Sequence, residues 1–283
     1  MITGYSNVIS VTTLPPSLLL DLYPSAAAAY SVRKLRTAYT GSAIRVRRSS
    51  DNAEQNIGFD GSGNLDTTSL TSFCSGTNGF VTTWYDQSGN GRDATQTTAT
   101  NQAQIVSSGS VINVNSKPSL QFDGSNDKFL WTYQWANQAF DNFNVTRNVS
   151  SAYKNIIAEG NNSQGFVGLG SDDVNRYYLG RTSQASFPFT SNATLNTQIL
   201  SNFYSTLGIV ESSITCYFRK NNGNLESTTG TGMNNSNNQS ILGAAGLGDY
   251  YNGQMQEVIL YSADKTTSRT GIATNINTYY GIY

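Results

Sequence analysis

Apolar and polar positions alternate in short runs along most of this chain, and helical spacing is confined to three stretches. Phe80 to Tyr85 (FVTTWY) is β-branched and aromatic, which suits a half-buried strand. Asp86, Ser88, Gly89, Asn90 and Gly91 then supply a tight polar turn, and Ala94 to Thr98 leaves it as a second strand or an extended loop. Further strands are expected at Thr40–Arg48, Ile105–Val114, Ser119–Phe122, Leu130–Trp135, Asn155–Ala158, Gly165–Gly168, Tyr177–Gly180, Ile199–Val210, Ser213–Arg219 and Gln254–Tyr261. Leu18–Tyr23 reads as a strand or the approach to one, and Asn221 to Asn224 as a hairpin turn of the Asn-Gly type. Ser25–Leu35, with its N-cap serine, four alanines and terminal basic residues, predicts a short helix. Thr67–Cys74 is read as a short helix or loop, and Ser268–Tyr279 has helical spacing through Ile272 and Ile276. Many short strands between turn residues predict an all-β protein, an antiparallel β-sandwich with one or two short helices. Met1–Pro16 is expected to be an N-terminal arm, stiffened by Pro15-Pro16, and residues 17–283 a single domain.

Composition narrows the function. Only 12% of the residues are charged while 11% are aromatic, so the chain has a core and an uncharged polar surface. A net charge of −1 gives no field for nucleic acid, and no apolar run approaches a membrane span. Histidine is absent, which removes Ser–His–Asp and Cys–His catalysis and ordinary zinc sites together. Carboxylates would have to do any catalytic work. Cys74 and Cys216 are expected to be buried small side chains rather than a disulfide framework. The Met start without a basic, apolar leader predicts a protein folded in a cytoplasm. The sequons at Asn144–Asn148 and Asn234–Asn238 are read as the composition of Asn-rich loops.

Several clusters carry candidate chemistry. Trp131, Tyr133 and Trp135 fall at period two and would share one strand face, either stacking on sugar or packing in the core. Asp60, Ser62, Asn64 and Asp66, and likewise Asp86, Ser88, Asn90 and Asp93, space oxygen atoms at alternate positions as calcium loops do. Asp123, Ser125, Asn126 and Asp127 form a third acidic turn. The same residues also serve turns for backbone reasons. No cofactor is expected beyond calcium on these loops. Arg33, Lys34, Arg36, Arg45, Arg47 and Arg48 concentrate basic charge, as an anion contact or as a solvated face.

TWYDQSGNGRDATQ, preceded by SFCSGTNGF and followed by SKPSLQFDG, resembles the catalytic module of the arabinofuranosidase B family, as does AYSVRKLRTAYTGSAIRVRRSSD upstream. The segment also resembles phage and bacterial proteins that share it. The closing stretch from SILGAAGLGDYYNG onward is similar to laminin-G-like and concanavalin-like jelly rolls, and the resemblance implies that fold. It further implies a pair of carboxylates: a Glu in a D-x-E-N motif in mid-chain and an Asp just after ILG-x-GG. Here the first position reads Ser171-Asp172-Asp173-Val174-Asn175, and the second places Asp249 two positions from the pattern. The family's adjacent cysteine pair has no counterpart, and its early disulfide keeps Cys74 but has Gly79 where the partner belongs. The carboxylates available to a hydrolase are Glu159, Asp172, Asp173, Glu211, Asp249 and Glu257.

These departures argue against retained hydrolysis. The resemblance to phage proteins, the Met start without a leader and the uncharged polar surface make the expected function a non-enzymatic, lectin-like virion protein of a bacteriophage: a capsid decoration, tail fibre or receptor-binding module located in the virion. Trp131, Tyr133, Trp135, Asp249, Tyr250 and Tyr251 would meet a glycan. Its partners would be other virion proteins, host surface polysaccharide and further copies of itself, without nucleic acid or membrane insertion. The alternatives are a glycoside hydrolase of arabinofuranosidase type, using Asp172, Asp173 and Asp249, and a purely structural capsid cement.

Overall fold

The computed structural model describes residues 17–150, 154–160, 166–171, 176–181, 186–192, 194–208, 213–230, 239–245 and 249–283. The expected arm, Met1–Pro16, lies outside them. The architecture is an antiparallel β-sandwich. One layer is built on the ten-residue strand Asn252–Tyr261, whose nine last residues are buried. Along one edge it pairs with Phe140–Asn148, and along the other with Ala28–Ser31 and then Leu120–Asp123. Gln198–Ser205, Ile214–Lys220 and Glu226–Gly230 continue this layer beyond Phe140–Asn148. The second layer runs Glu54–Ile57, Ile44–Arg48, Gly79–Trp84, Ala94–Thr95, Phe129–Thr132, Gln239–Leu242, Lys154–Glu159, Phe166–Ser171, Arg176–Arg181 and Ser186–Asn192. Gln104–Ser107 pairs with Gly79–Trp84 and with Leu120–Asp123, so it joins the layers at one side.

Aromatic rings fill the space between the layers. Tyr30 meets Trp84 and Trp131 edgewise or tilted, and Tyr177, Phe189, Phe203 and Phe218 form a second cluster. The helix Arg269–Tyr280 covers the outer face of the first layer, burying Ile272, Ala273, Ile276 and Tyr280, and ends at Gly281 in the left-handed region. Two buried ion pairs pin it there. Arg33 binds Glu257 through two nitrogens at 2.8 and 2.9 Å beside Tyr280, and Arg269 reaches Asp141 at 2.8 Å. Such forked pairs add geometric specificity as well as energy.

Three expectations are corrected. Ser25–Leu35 is not helical: Ala28–Ser31 is a strand in register with Glu257–Leu260. Alanine's helix propensity is a weak preference, and a sheet edge that buries all four of these residues outweighs it. Leu19–Leu22 is a single helical turn rather than a strand. Asn144–Asn148 is no loop but part of Phe140–Asn148, while Asn234–Asn238 lies outside the described residues. The helices Thr67–Phe73 and Arg269–Tyr280 and the turn at Asn221-Asn222, both with positive φ, stand as read. Cys74 and Cys216 are both free and buried.

Candidate active site

The DQSGNG turn is the most regular constellation in the molecule, and its side chains hold backbone. Asp86 accepts from the amides of Ala29, Ser88 and Arg92 at 2.9, 2.9 and 3.0 Å. Gln87 takes the Leu35 amide and donates to the carbonyls of Ser31 and Arg33. Asn90 and Arg92 donate to the carbonyl of Ala27, and Tyr30 returns a hydrogen bond to the Arg92 carbonyl. The turn therefore satisfies the edge of Ala28–Ser31 that no strand pairs, as buried backbone requires. Its conservative-looking chemistry is scaffold.

The loops read as calcium sites are organised in the same way. Asp60 accepts from the amides of Ser62 and Asn64, which hold its carboxyl below the ordinary range against the opposing effect of burial. Asp66 caps the helix Thr67–Phe73 through the Ser69 amide and hydroxyl, with the same downward shift. Asp93 accepts from the Asp86 amide. Among the described residues no three His, Cys, Asp or Glu side chains gather as metal ligands. The basic cluster is likewise engaged: Arg33 with Glu257, Arg36 with the Ser88 carbonyl, Arg45 with Glu54, Arg47 with Gln102 and Asn52, and Arg48 with Asp51.

The aromatic triplet does not form one face of one strand. Phe129–Thr132 ends before Tyr133; Trp131 and Trp135 are buried, the latter against Phe140. Tyr133 is half-buried, bonded to Ser262 at 2.6 Å and covered by the Arg92 guanidinium. Of the two readings of this triplet, the structure places both tryptophans in the core. Tyr251 is also core, donating to Asn148 at 2.8 Å, while Tyr250 is half-buried with the Lys128 ammonium 5.6 Å from its ring centre.

Carboxylates sort by burial. Glu257 sits wholly buried in its ion pair, and Glu159 accepts from the amides of Trp135 and Ala136, so both hold structure. Asp172, Asp173 and Glu211 lie outside the described residues. Asp249 is half-buried and partnered. Register shows which strand ends meet at one end of the second layer. Lys154 lies opposite Ser171, Ser171 opposite Tyr177, and the Gly243 amide bonds the Ile156 carbonyl at 2.9 Å. The ends of the strands that bracket Asp172 and Asp173 therefore share one end of the second layer with the loop that leaves Leu242. That loop returns at Tyr251, whose amide bonds the Gly243 carbonyl at 2.7 Å, and it carries Asp249. Beside this rim Tyr178 donates to Asn155, whose buried side-chain nitrogen has no partner among the described residues. No sequence signal marks either residue, because their burial is set by the strand pairing alone.

Residues 21–126 match the family model described as alpha-L-arabinofuranosidase B, catalytic. A probable alpha-L-arabinofuranosidase B of Aspergillus terreus (strain NIH 2624 / FGSC A1156) is 38% identical over 96 residues, 32% of this chain and 19% of that protein. An alpha-L-arabinofuranosidase of Hypocrea jecorina is 41% identical over 73 residues, 26% of this chain and 15% of that protein. Each match thus spans less than a fifth of the curated relative. The fold extends the likeness further: an arabinofuranosidase complexed with arabinofuranosyl-alpha-1,2-xylobiose superposes with a TM-score of 0.65 at 16% identity, over 89% of this chain and 62% of that one. A GH54 arabinofuranosidase soaked with a cyclic sulfate inhibitor gives 0.64 at 17% identity and the same coverage. These findings overturn the expectation of a non-enzymatic virion protein and of a place in the virion. The segment that matches, residues 21–126, is the one these arabinofuranosidases share with the chain.

Proposed function

We propose that this chain is a glycoside hydrolase that cleaves arabinofuranosides, working with two carboxylates at the rim that carries Asp249. The observation that carries the reading is the match of residues 21–126 to the arabinofuranosidase B catalytic model. Hydrolysis of a glycosidic bond needs one carboxylic acid to protonate the leaving oxygen and a second carboxylate as nucleophile or base. Asp249 is assigned the acid/base role because it follows the ILGAAGLG segment. Asp172 or Asp173 is assigned the second role because they follow Ser171 in sequence, and Ser171 ends a strand at the end of the layer where the loop to Asp249 leaves.

The test is release of 4-nitrophenol from 4-nitrophenyl α-L-arabinofuranoside. Wild type should turn it over, and Asp249→Asn should lose activity by about 10²–10⁴-fold, the usual contribution of a general acid–base group. Asp172→Asn and Asp173→Asn identify the partner, since only one should match that loss. No turnover by the wild type, or full activity in Asp249→Asn, refutes the assignment.

A further inference from the structure

The outer face of the sandwich carries a row of side chains that the proposed chemistry does not use. Strand register places Arg147 opposite Gln254, Gln254 opposite Gln121, Gln121 opposite Gln104, Gln104 opposite Phe80, and Phe80 opposite Arg47. Directly opposed residues project from the same face, so these six form one line across six strands and across the join between the layers. At a strand spacing of about 4.8 Å the line is about 24 Å long. Its members are linked: Gln254 donates to Gln121, Arg147 to Gln254, and the Arg47 guanidinium stands 5.1 Å from the Phe80 ring centre.

The middle of the line opens into a groove of about 410 Å³, lined by Phe80, Gln102, Gln104, Gln121, Asp123 and Asp127 among others. Acceptor oxygens of Gln104 and Asp123 are left over in it. Gln104 directs its nitrogen to the Val106 carbonyl, so its oxygen remains. Asp127, only 6% exposed, receives the Asp123 amide on one oxygen and forms the floor of the groove. Asp123 is exposed at the mouth. Each nitrogen of Arg47 already donates once, to Gln102, Asn52 and the Ala99 carbonyl.

We infer that this row is a binding surface for a neutral polysaccharide chain lying across the strands. Sugar hydroxyls donate to the free acceptors, planar amides run alongside the sugar rings, and Phe80 supplies an apolar flank. Phosphate-bearing chains are disfavoured because the Asp123 carboxylate and the Gln104 oxygen repel anions while Arg47 is engaged with its neighbours. The choice of arabinan as probe rests on the proposed hydrolase activity, but binding is read independently of turnover.

Native affinity electrophoresis in gels containing soluble arabinan, with arabinoxylan and dextran as comparisons, tests this surface. Wild type should be retarded by arabinan or arabinoxylan, while Phe80→Ala and Gln104→Ala should bind about tenfold more weakly, the loss expected for one or two sugar contacts. Thr100→Trp, at the exposed edge of the groove, should block it without disturbing the core, which keeps the test decisive if a groove variant folds poorly. Turnover of 4-nitrophenyl α-L-arabinofuranoside should be unchanged in all three variants. Retardation without any turnover would refute the hydrolase and leave the surface standing. Absence of retardation by either polymer, or equal retardation of wild type and all three variants, overturns the proposal.

Discussion

A single carboxyl shows how burial converts a turn residue into a titrating group. Asp127 belongs to an acidic turn of ordinary composition, yet its side chain is buried and its carboxyl is pushed up to about 7, first by desolvation and then by the neighbouring Asp123 charge. The sign follows from linkage. In the unfolded chain this group ionises near pH 4, whereas in the fold it stays protonated to about 7, so stability falls as pH rises through that window and is level above it. The chain has no histidine to obscure this slope. Asp127→Asn keeps an oxygen for the Asp123 amide and removes the titration. We expect the variant to be more stable than wild type at pH 8 by on the order of 1 kcal/mol, after allowing for solvent screening, and to show no such gain at pH 4.5. Urea unfolding at the two pH values decides it; an equal difference at both would mean the effect is packing and not charge.

Among the elements, Gly79–Trp84 and Asn252–Tyr261 were readable because their β-branched and aromatic runs are long and end at turn residues. Phe140–Asn148 was not, although it lies at the middle of its layer. Its Asn142, Asn144 and Thr146 are polar, and their burial comes from the layer packed above them, which no local pattern records. Ala28–Ser31 misled for the complementary reason: its composition favours helix, and its partners lie more than two hundred residues away. The candidate site divides in the same manner. Asp249 is a candidate from its motif, whereas Asn155 and Tyr178 acquire their positions only from register. Register also bears on the first residue of Gly79–Trp84. A Cβ on Gly79 would lie 2.7 Å from the Cys74 sulfur, and the residue's φ is one that any side chain adopts. Gly79→Cys should therefore close a disulfide with Cys74. For so short a loop the gain is about 2 kcal/mol at most, reduced by the tight approach of Val46 and Val106. Tm measured with and without reductant should differ by roughly 2–6 °C in the variant and not in wild type; free thiols on both cysteines after oxidation would show that the geometry does not allow the bond.

At the scale of the whole molecule, the two layers are joined by hydrogen bonding at one side and need another fastening at the other. The strand Gln104–Ser107 supplies the join, pairing into both layers. At the far side Ser186–Asn192 and Glu226–Gly230 approach each other without a ladder between them, and Glu226 ties them. Its carboxylate accepts from the Thr190 amide and hydroxyl at 2.5 and 2.6 Å, from the Ser191 amide at 3.0 Å and from the Ser191 hydroxyl. Burial raises the Glu226 carboxyl, but these four donors outweigh it and hold the group below the ordinary carboxylate range. A depressed carboxyl stabilises the fold at pH above its unfolded value, near 4.5, and that contribution is lost as pH falls through the lower folded value. Glu226→Gln removes the charge and offers one acceptor oxygen in place of two, so the seam should loosen by about 1 kcal/mol at neutral pH. The loss should be local: faster hydrogen exchange at the amides of Thr190 and Ser191, with those of Asn252–Tyr261 unchanged. If wild type and Glu226→Gln exchange alike at Thr190 and Ser191, the carboxylate is not the fastening, and the stacked rings of Tyr177, Phe189 and Phe218 hold that side of the sandwich alone.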